Sequence, residues 1–121
     1  VTIIACGHLV WKSIEAAKIL SEQGISVELI NMHTIKPLDA AAILKSVAKT
    51  SCVVTAEEHM RNGGLGEAVA QVLGEHLPRP HEFVAVNDTF GESGSPMELM
   101  TKYGIDTQNV VAAALKAISR K

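Results

Sequence analysis

Four short β-branched, apolar runs recur along this chain, separated by stretches whose apolar residues keep helical spacing. That alternation limits the fold more than any other feature. Residues 1–6, Val-Thr-Ile-Ile-Ala-Cys, are too short for a helix and end at the breaker Gly7, as a central parallel strand does. Over residues 9–23, Val10, Ile14 and Ala17 share one helical face and Lys12, Glu15 and Glu22 another, and Gly24 stops this helix as a C-terminal cap. The cycle then repeats. A strand is predicted over 25–30 and a turn over 31–36. The next helix opens with Pro37 at its first position, carries Asp39 in its first turn and turns Ile43, Leu44 and Val47 inward. A third strand is predicted over 51–56, a third helix over 65–77 and, after the turn Pro78-Arg79-Pro80, a fourth strand over 83–86. Ser95-Pro96-Met97-Glu98 joins a capping-box pair to a proline at the first helical position, so a helix is expected from there to Gly104. In the last helix Val110, Val111, Ala114, Leu115 and Ile118 form an apolar stripe above Lys116 and Arg120, fit to dock on the sheet. Strands alternating with helices in this way need right-handed crossovers and a parallel sheet covered on both faces.

With 121 residues, 47% of them hydrophobic, the chain can bury one core without disulfides or a metal, so residues 1–121 are read as one domain. A formal net charge of −2, with Lys and Arg spread among Asp and Glu, provides no basic stripe for nucleic acid and no polybasic patch for a membrane. The longest apolar runs fall well short of the roughly 20 residues that span a bilayer, and no signal peptide is visible. Cys6 and Cys52 lie in runs that read as buried strands, where a free thiol behaves as a small hydrophobe; a reducing, cytoplasmic setting fits. The chain opens at Val1 inside a strand-like run and reads as a fragment, the alternative being a mature chain whose first residues are disordered or were trimmed. Internal repeats and low-complexity segments are absent.

Three clusters are candidates for function. Asn62-Gly63-Gly64-Leu65-Gly66 lies between a strand and a helix, where backbone N–H groups and the helix dipole could hold a phosphate. It matches neither nucleotide-binding glycine pattern, and the structural reading is that its glycines supply positive φ and close packing. Gly91-Glu92-Ser93-Gly94 resembles a nucleophile elbow only superficially, because Ser95 stands where G-x-S-x-G needs glycine. Asp88 precedes that loop and no histidine follows His81, so the chain order of an α/β-hydrolase triad cannot be built; a contact loop accounts for it better. Glu57-Glu58-His59, at the carboxyl end of the third strand, stands where open α/β sheets bind ligands. The alternatives there are a functional or subunit contact, and merely solvated acids beside a hydrogen-bonded histidine. His8, His33, His76 and His81 share no metal-ligand spacing and read as structural.

Taken in order, these elements resemble the carboxyl-terminal domain of the transketolase group. Ile3-Ile4-Ala5-Cys6-Gly7 is similar to its opening strand, and Thr34-Ile35-Lys36-Pro37-Leu38-Asp39 to its recurring T-I-K-P-L-D turn. Glu57-Glu58-His59 with Gly63-Gly64-Leu65-Gly66, then Phe90-Gly91-Glu92-Ser93-Gly94 and Lys102-Tyr103-Gly104-Ile105-Asp106, continue the likeness. The group includes transketolase, 1-deoxyxylulose-5-phosphate synthase and the beta subunits of 2-oxo-acid dehydrogenases. The segment from Phe90 to Pro96 with Lys102-Tyr103-Gly104 looks most like short, often split bacterial and archaeal transketolases.

The resemblance implies a three-layer α/β/α sandwich with an antiparallel edge strand that normally precedes the position of Val1. Four parallel strands in the order 2-1-3-4 are therefore expected, with any fifth strand missing or supplied by another molecule. It also implies that thiamine diphosphate and magnesium are bound by other domains of the complete enzyme, leaving no catalytic, cofactor-binding or metal residue here. The complete enzyme would move a two-carbon ketol unit between sugar phosphates, as a homodimer. Glu57, Glu58, His59, Gly63, Gly64 and Gly66, together with Asp88, Phe90, Gly91, Glu92, Ser93 and Gly94, are expected to form loops that face neighbouring domains or subunits. Other readings are a part of the deoxyxylulose-phosphate synthase or of a dehydrogenase beta subunit that docks on a partner, and a stand-alone module holding a phosphorylated ligand at the Gly63 to Gly66 helix start.

Overall fold

A computed structural model describes residues 1–33, 38–60, 64–86 and 105–121, without the side chains of residues 59, 60 and 86. The helix expected from Ser95 to Gly104 and the turn around Pro37 lie outside the described residues. In chain order the elements are β1 (Thr2–Ala5), α1 (Leu9–Glu22), β2 (Glu28–Asn31), α2 (Ala40–Thr50), β3 (Val53–Met60), α3 (Leu65–His76), β4 (His81–Val86) and α4 (Thr107–Ser119). The strands form one parallel sheet in the order β2-β1-β3-β4, as expected.

The pleat divides each strand between two cores. Ile3 and Ala5 of β1, Val54 and Ala56 of β3 and Val84 of β4 meet Leu9, Ala16 and Leu20 of α1 and Val110, Ala114 and Ala117 of α4. On the other face Ile4 and Val53 meet Ile43 and Val47 of α2 and Leu65, Val69 and Leu73 of α3. The result is the three-layer α/β/α sandwich. Each buried aliphatic side chain of Val, Leu or Ile size contributes about 1.5–3 kcal/mol, so both faces are needed to hold the sheet.

Several local expectations need correction. The inner face of α1 is Leu9, Ser13, Ala16 and Leu20, whereas Ile14 is 46% and Trp11 72% exposed. The two stripes differ by about one residue, or 100° of rotation. Small residues at 13 and 16 let α1 approach its neighbours closely, although the buried Ser13 hydroxyl finds no hydrogen-bond partner among the described residues. Helix α2 begins at Ala40 rather than Pro37, because Asp39 is its N-cap: the carboxylate accepts from Ala42 N at 3.1 Å. On α4, Leu115 is 41% exposed and Ala117 takes the inward place. Its start is fixed by a capping box that the sequence reading missed, Asp106 accepting from the helix backbone while the Asn109 side chain accepts from Asp106 N. Cys52 is buried, but Cys6 is only half-buried. Gly24 follows α1 with φ +81°, as its capping role required.

At the amino end of the sheet a polar chain ties β1 and β2 to α2. Thr2 Oγ1 lies 2.8 Å from Ser46 Oγ, which donates to Glu28 Oε1 at 2.6 Å, while Lys49 Nζ lies 2.6 Å from Glu28 Oε2. Lys49 and then the Ser46 hydroxyl hold the Glu28 carboxyl below its ordinary range. A depressed folded-state value stabilises above the unfolded carboxylate pKa, about 4.3, and that contribution disappears as pH falls through the folded value. Glu28→Gln is therefore expected to lower the urea midpoint slightly at pH 7, and the difference from the parent should shrink as pH falls below the ordinary carboxylate range. An unchanged difference across that range would show that the carboxylate charge is not what matters.

Candidate functional site

The connections diverge at the carboxyl ends of β1 and β3. From β1 the chain returns through α1 to β2 on one side, whereas from β3 it passes through α3 to β4 on the other. Open α/β sheets bind ligands in the crevice at such a switch point. Here it is built from Cys6, Gly7 and His8 after β1 and from the last residues of β3.

Strand β3 runs on through Glu57, Glu58 and His59, so these lie within the strand rather than in a turn beyond it. The pairing with β4 shifts register between Ala56 and Met60, an irregularity that bends a strand and re-aims its side chains. Glu57 turns to the α3 face and is fully buried. Its Oε1 accepts from Leu65 N at 2.8 Å and its Oε2 from Gly66 N at 2.7 Å. Two of the otherwise orphaned donors at the start of α3 are satisfied by a carboxylate placed where the helix dipole favours negative charge.

Glu58 is oriented the other way. Its Oε2 lies 3.6 Å from Nδ1 of His8, whose side chain is 72% exposed, and its carboxylate covers Gly7. Gly7 has φ +62°, and a Cβ there would come within 2.5 Å of Glu58 Oε1. The positive φ is what requires glycine, since the end of the Glu58 side chain could swing aside. Cys6 lies beside the pair, and its thiol is pushed up from its ordinary range by burial first and then by the charges of Glu57 and Glu58. It therefore stays protonated and a poor nucleophile at neutral pH.

The glycine cluster behaves differently from expectation. Gly64, the N-cap of α3, has φ −97°, so positive φ is not its reason for being glycine. Close packing is the reason at Gly66, where an added Cβ would lie 2.5 Å and 2.7 Å from Phe83 ring carbons and 2.9 Å from Thr55 Oγ1. The phosphate reading fails on the same geometry, since Glu57 already takes the N–H groups of Leu65 and Gly66 and would repel a second anion. His81 is structural, stacked on Phe83 with ring centres 4.0 Å apart and 2.8 Å from Thr55 Oγ1. Among the described residues no group of three His, Cys, Asp or Glu side chains could hold a metal ion. Gly63, Asp88, Phe90, Gly91, Glu92, Ser93 and Gly94 lie outside the described residues, as does the His59 side chain. The sequence reading missed His8 and Gly7 as members of the site; the signal available was their position directly after a central strand.

Comparison with known proteins follows the same outline. Residues 1–110 match the family model of the transketolase C-terminal domain. A 6-deoxy-6-sulfo-D-fructose transketolase subunit of Clostridium sp. (strain MSTE9) is 46% identical over 121 residues, all of this chain and 38% of the relative. A 1-deoxy-D-xylulose-5-phosphate synthase of Halothermothrix orenii is 37% identical over 123 residues, covering all of this chain and 19% of that enzyme. A solved split-gene transketolase, described as an inactive beta4 tetramer, superposes with TM-score 0.95 at 48% identity over 99% of this chain and 39% of its own. The chain thus spans well under half the length of the relatives it matches.

Proposed function

Because this chain belongs to the transketolase C-terminal domain family, we propose that it is the carboxyl-terminal part of a thiamine-diphosphate-dependent transketolase. The complete enzyme would transfer a two-carbon ketol unit between sugar phosphates in the cytoplasm. The observation that carries this reading is the likeness over 99% of the chain to a split-gene transketolase of which it covers 39%. No helix among the described residues is long and apolar enough to cross a membrane.

Thiamine diphosphate supplies the carbon–carbon chemistry of such an enzyme. The described residues do not fit it: they offer no metal-ligand cluster for the magnesium, and Glu57 fills the helix start that would take a diphosphate. In this reading the cofactor's seat belongs to the polypeptide outside this chain. What this domain contributes is a braced edge. Glu57 anchors the start of α3 and Glu58 closes over Gly7, so the carboxyl edge of the sheet forms a fixed surface against which other domains or a second subunit can pack. Glu58 and His59, with the loop at Gly63 and the segment of Asp88, Phe90, Gly91, Glu92, Ser93 and Gly94, form that contact surface in a homodimeric enzyme, while the buried Glu57, Gly64 and Gly66 support it from inside the domain.

The test is reconstitution of the complete enzyme. Ketol transfer is expected only when this polypeptide and the cofactor-binding part are both present. Glu58→Ala and His59→Ala are expected to weaken assembly, measured by analytical ultracentrifugation, and to lower activity in parallel. Unchanged assembly and activity in both variants would remove the contact role. The identity to the Halothermothrix synthase favours a second reading, which formation of 1-deoxy-D-xylulose 5-phosphate by the reconstituted enzyme would establish instead.

A further inference from the structure

Helix α1 turns one stripe of its surface away from the sheet. Trp11 is 72% and Ile14 46% exposed, and three residues apart on a helix they lie side by side. The same face carries exposed His8 one turn before Trp11, and exposed Lys18 and Glu22 one and two turns after Ile14. Lys18 and Glu22 form no ion pair or hydrogen bond with any other described side chain. Lys12 and Glu15, by contrast, are held towards α4 by Asp106 and Thr107. The core side of the helix is already filled by Leu9, Ser13, Ala16 and Leu20. An indole left largely in water beside an isoleucine is the kind of anchor that carries much of the energy of a protein contact.

Charge and order along the stripe identify what covers it. Its apolar residues lie in the first half and its unpaired charges in the second, so the stripe is complementary to itself run in the opposite direction. A second α1 crossing antiparallel, about a two-fold axis between positions 14 and 15, sets Ile14 against Ile14 of the other copy. Lys18 of the second copy then lies over the Trp11 indole, whose face attracts a cation, and Glu22 of the second copy stands beside His8. Each contact occurs twice, as an isologous interface requires. A surface of a single charge sign would oppose either Lys18 or Glu22 with its like, whereas a second copy opposes neither. One 14-residue helix from each side makes a contact of under about 1,200 Å², the size of weak, reversible associations.

We propose that the outer face of α1 is a docking surface for a second copy of this chain, joined through Trp11 and Ile14 about a two-fold axis. The contact is centred half-way along α1, on the opposite side of the sheet from α3. It is therefore distinct from the carboxyl-edge surface assigned above, and it adds a concentration-dependent association to whatever assembly that edge makes.

Disulfide trapping on the complete subunit tests this, because a thiol placed beside a two-fold axis meets its own copy. Ile14→Cys is expected to give a covalent dimer on mild oxidation, bonded through position 14 of both copies by peptide mass spectrometry, whereas Ala41→Cys, exposed on α2, gives none. Adding Trp11→Ala to Ile14→Cys should abolish the cross-link. Without any added cysteine, sedimentation velocity should show an association that Trp11→Ala weakens about 30-fold or more and Lys18→Glu about tenfold. A thiol at position 14 that reacts with a small reagent but forms no dimer would overturn the proposal. So would one closed to the reagent, which would mean that the subunit's own polypeptide covers α1, and so would equal cross-linking of Ala41→Cys, the sign of random collision. Glu58→Ala and His59→Ala are expected to leave the cross-link unchanged, so failure of the carboxyl-edge contact and failure of the α1 contact are told apart.

Discussion

Replacing Glu57 with alanine is expected to destabilise the chain by about 3 kcal/mol, because two buried backbone donors at the start of α3 lose a charged acceptor together. The Leu65 and Gly66 N–H groups are held at 2.8 and 2.7 Å by the two oxygens of one carboxylate, and the Glu57 side chain is shielded from solvent. Neither donor can turn to water without opening the face between α3 and β3. For a domain of this size that loss corresponds to a fall in melting temperature of roughly 10 °C. Glu57→Gln keeps the volume but brings an amide N–H against one of the donors, and should recover little of the loss. Glu57→Asp, one methylene shorter, should reach at most one donor. Thermal unfolding followed by circular dichroism checks the order of the three variants. A change of less than about 2 °C for alanine would mean that the carboxylate does not hold the helix.

The second large effect is expected at Gly66. An alanine methyl there would meet two Phe83 ring carbons at 2.5 and 2.7 Å and Thr55 Oγ1 at 2.9 Å. Overpacking of this kind costs up to about 3 kcal/mol, against a gain of about 1 kcal/mol from alanine's better helix propensity. Overcrowding wins, and a net loss of about 2 kcal/mol is expected. The Phe83 ring cannot retreat freely, since it is stacked on His81, which in turn lies within hydrogen-bonding distance of Thr55. Phe83→Leu in the Gly66→Ala background should restore part of the stability, a coupling that a double-mutant cycle measures. Full additivity of the two substitutions would place the strain elsewhere.

Both predictions concern the α3 face of β3, which shows how far local sequence could go. Strand and helix alternation is a matter of short-range periodicity and steric preference, so the α/β/α class and the order 2-1-3-4 could be read from the chain once its family likeness was recognised. Even there, rotation of a helix by one residue escaped the pattern. Two stripes of α1 were nearly equal in hydrophobicity, and the choice fell to Leu9, Ser13, Ala16 and Leu20 because small side chains allow close approach, leaving Trp11 and Ile14 outside. Likewise Asp39 became a cap because its side chain reaches Ala42 N, a matter of one φ/ψ choice that composition does not reveal.

The residue types at the switch point were visible in the sequence: two adjacent carboxylates after an apolar run, followed by a glycine-rich segment. What those carboxylates do was not. Alternation in a strand sends neighbours to opposite faces, so Glu57 and Glu58, identical in the sequence, meet unlike surroundings. One is buried against the start of α3 and satisfies it; the other lies over Gly7 beside an exposed histidine. The sequence by itself determined which segments become strands and helices, because those preferences act over a few residues. Only the tertiary structure decided that a helix start suited to an external phosphate is occupied by the chain's own carboxylate, because burial and hydrogen-bond partners depend on which distant elements meet.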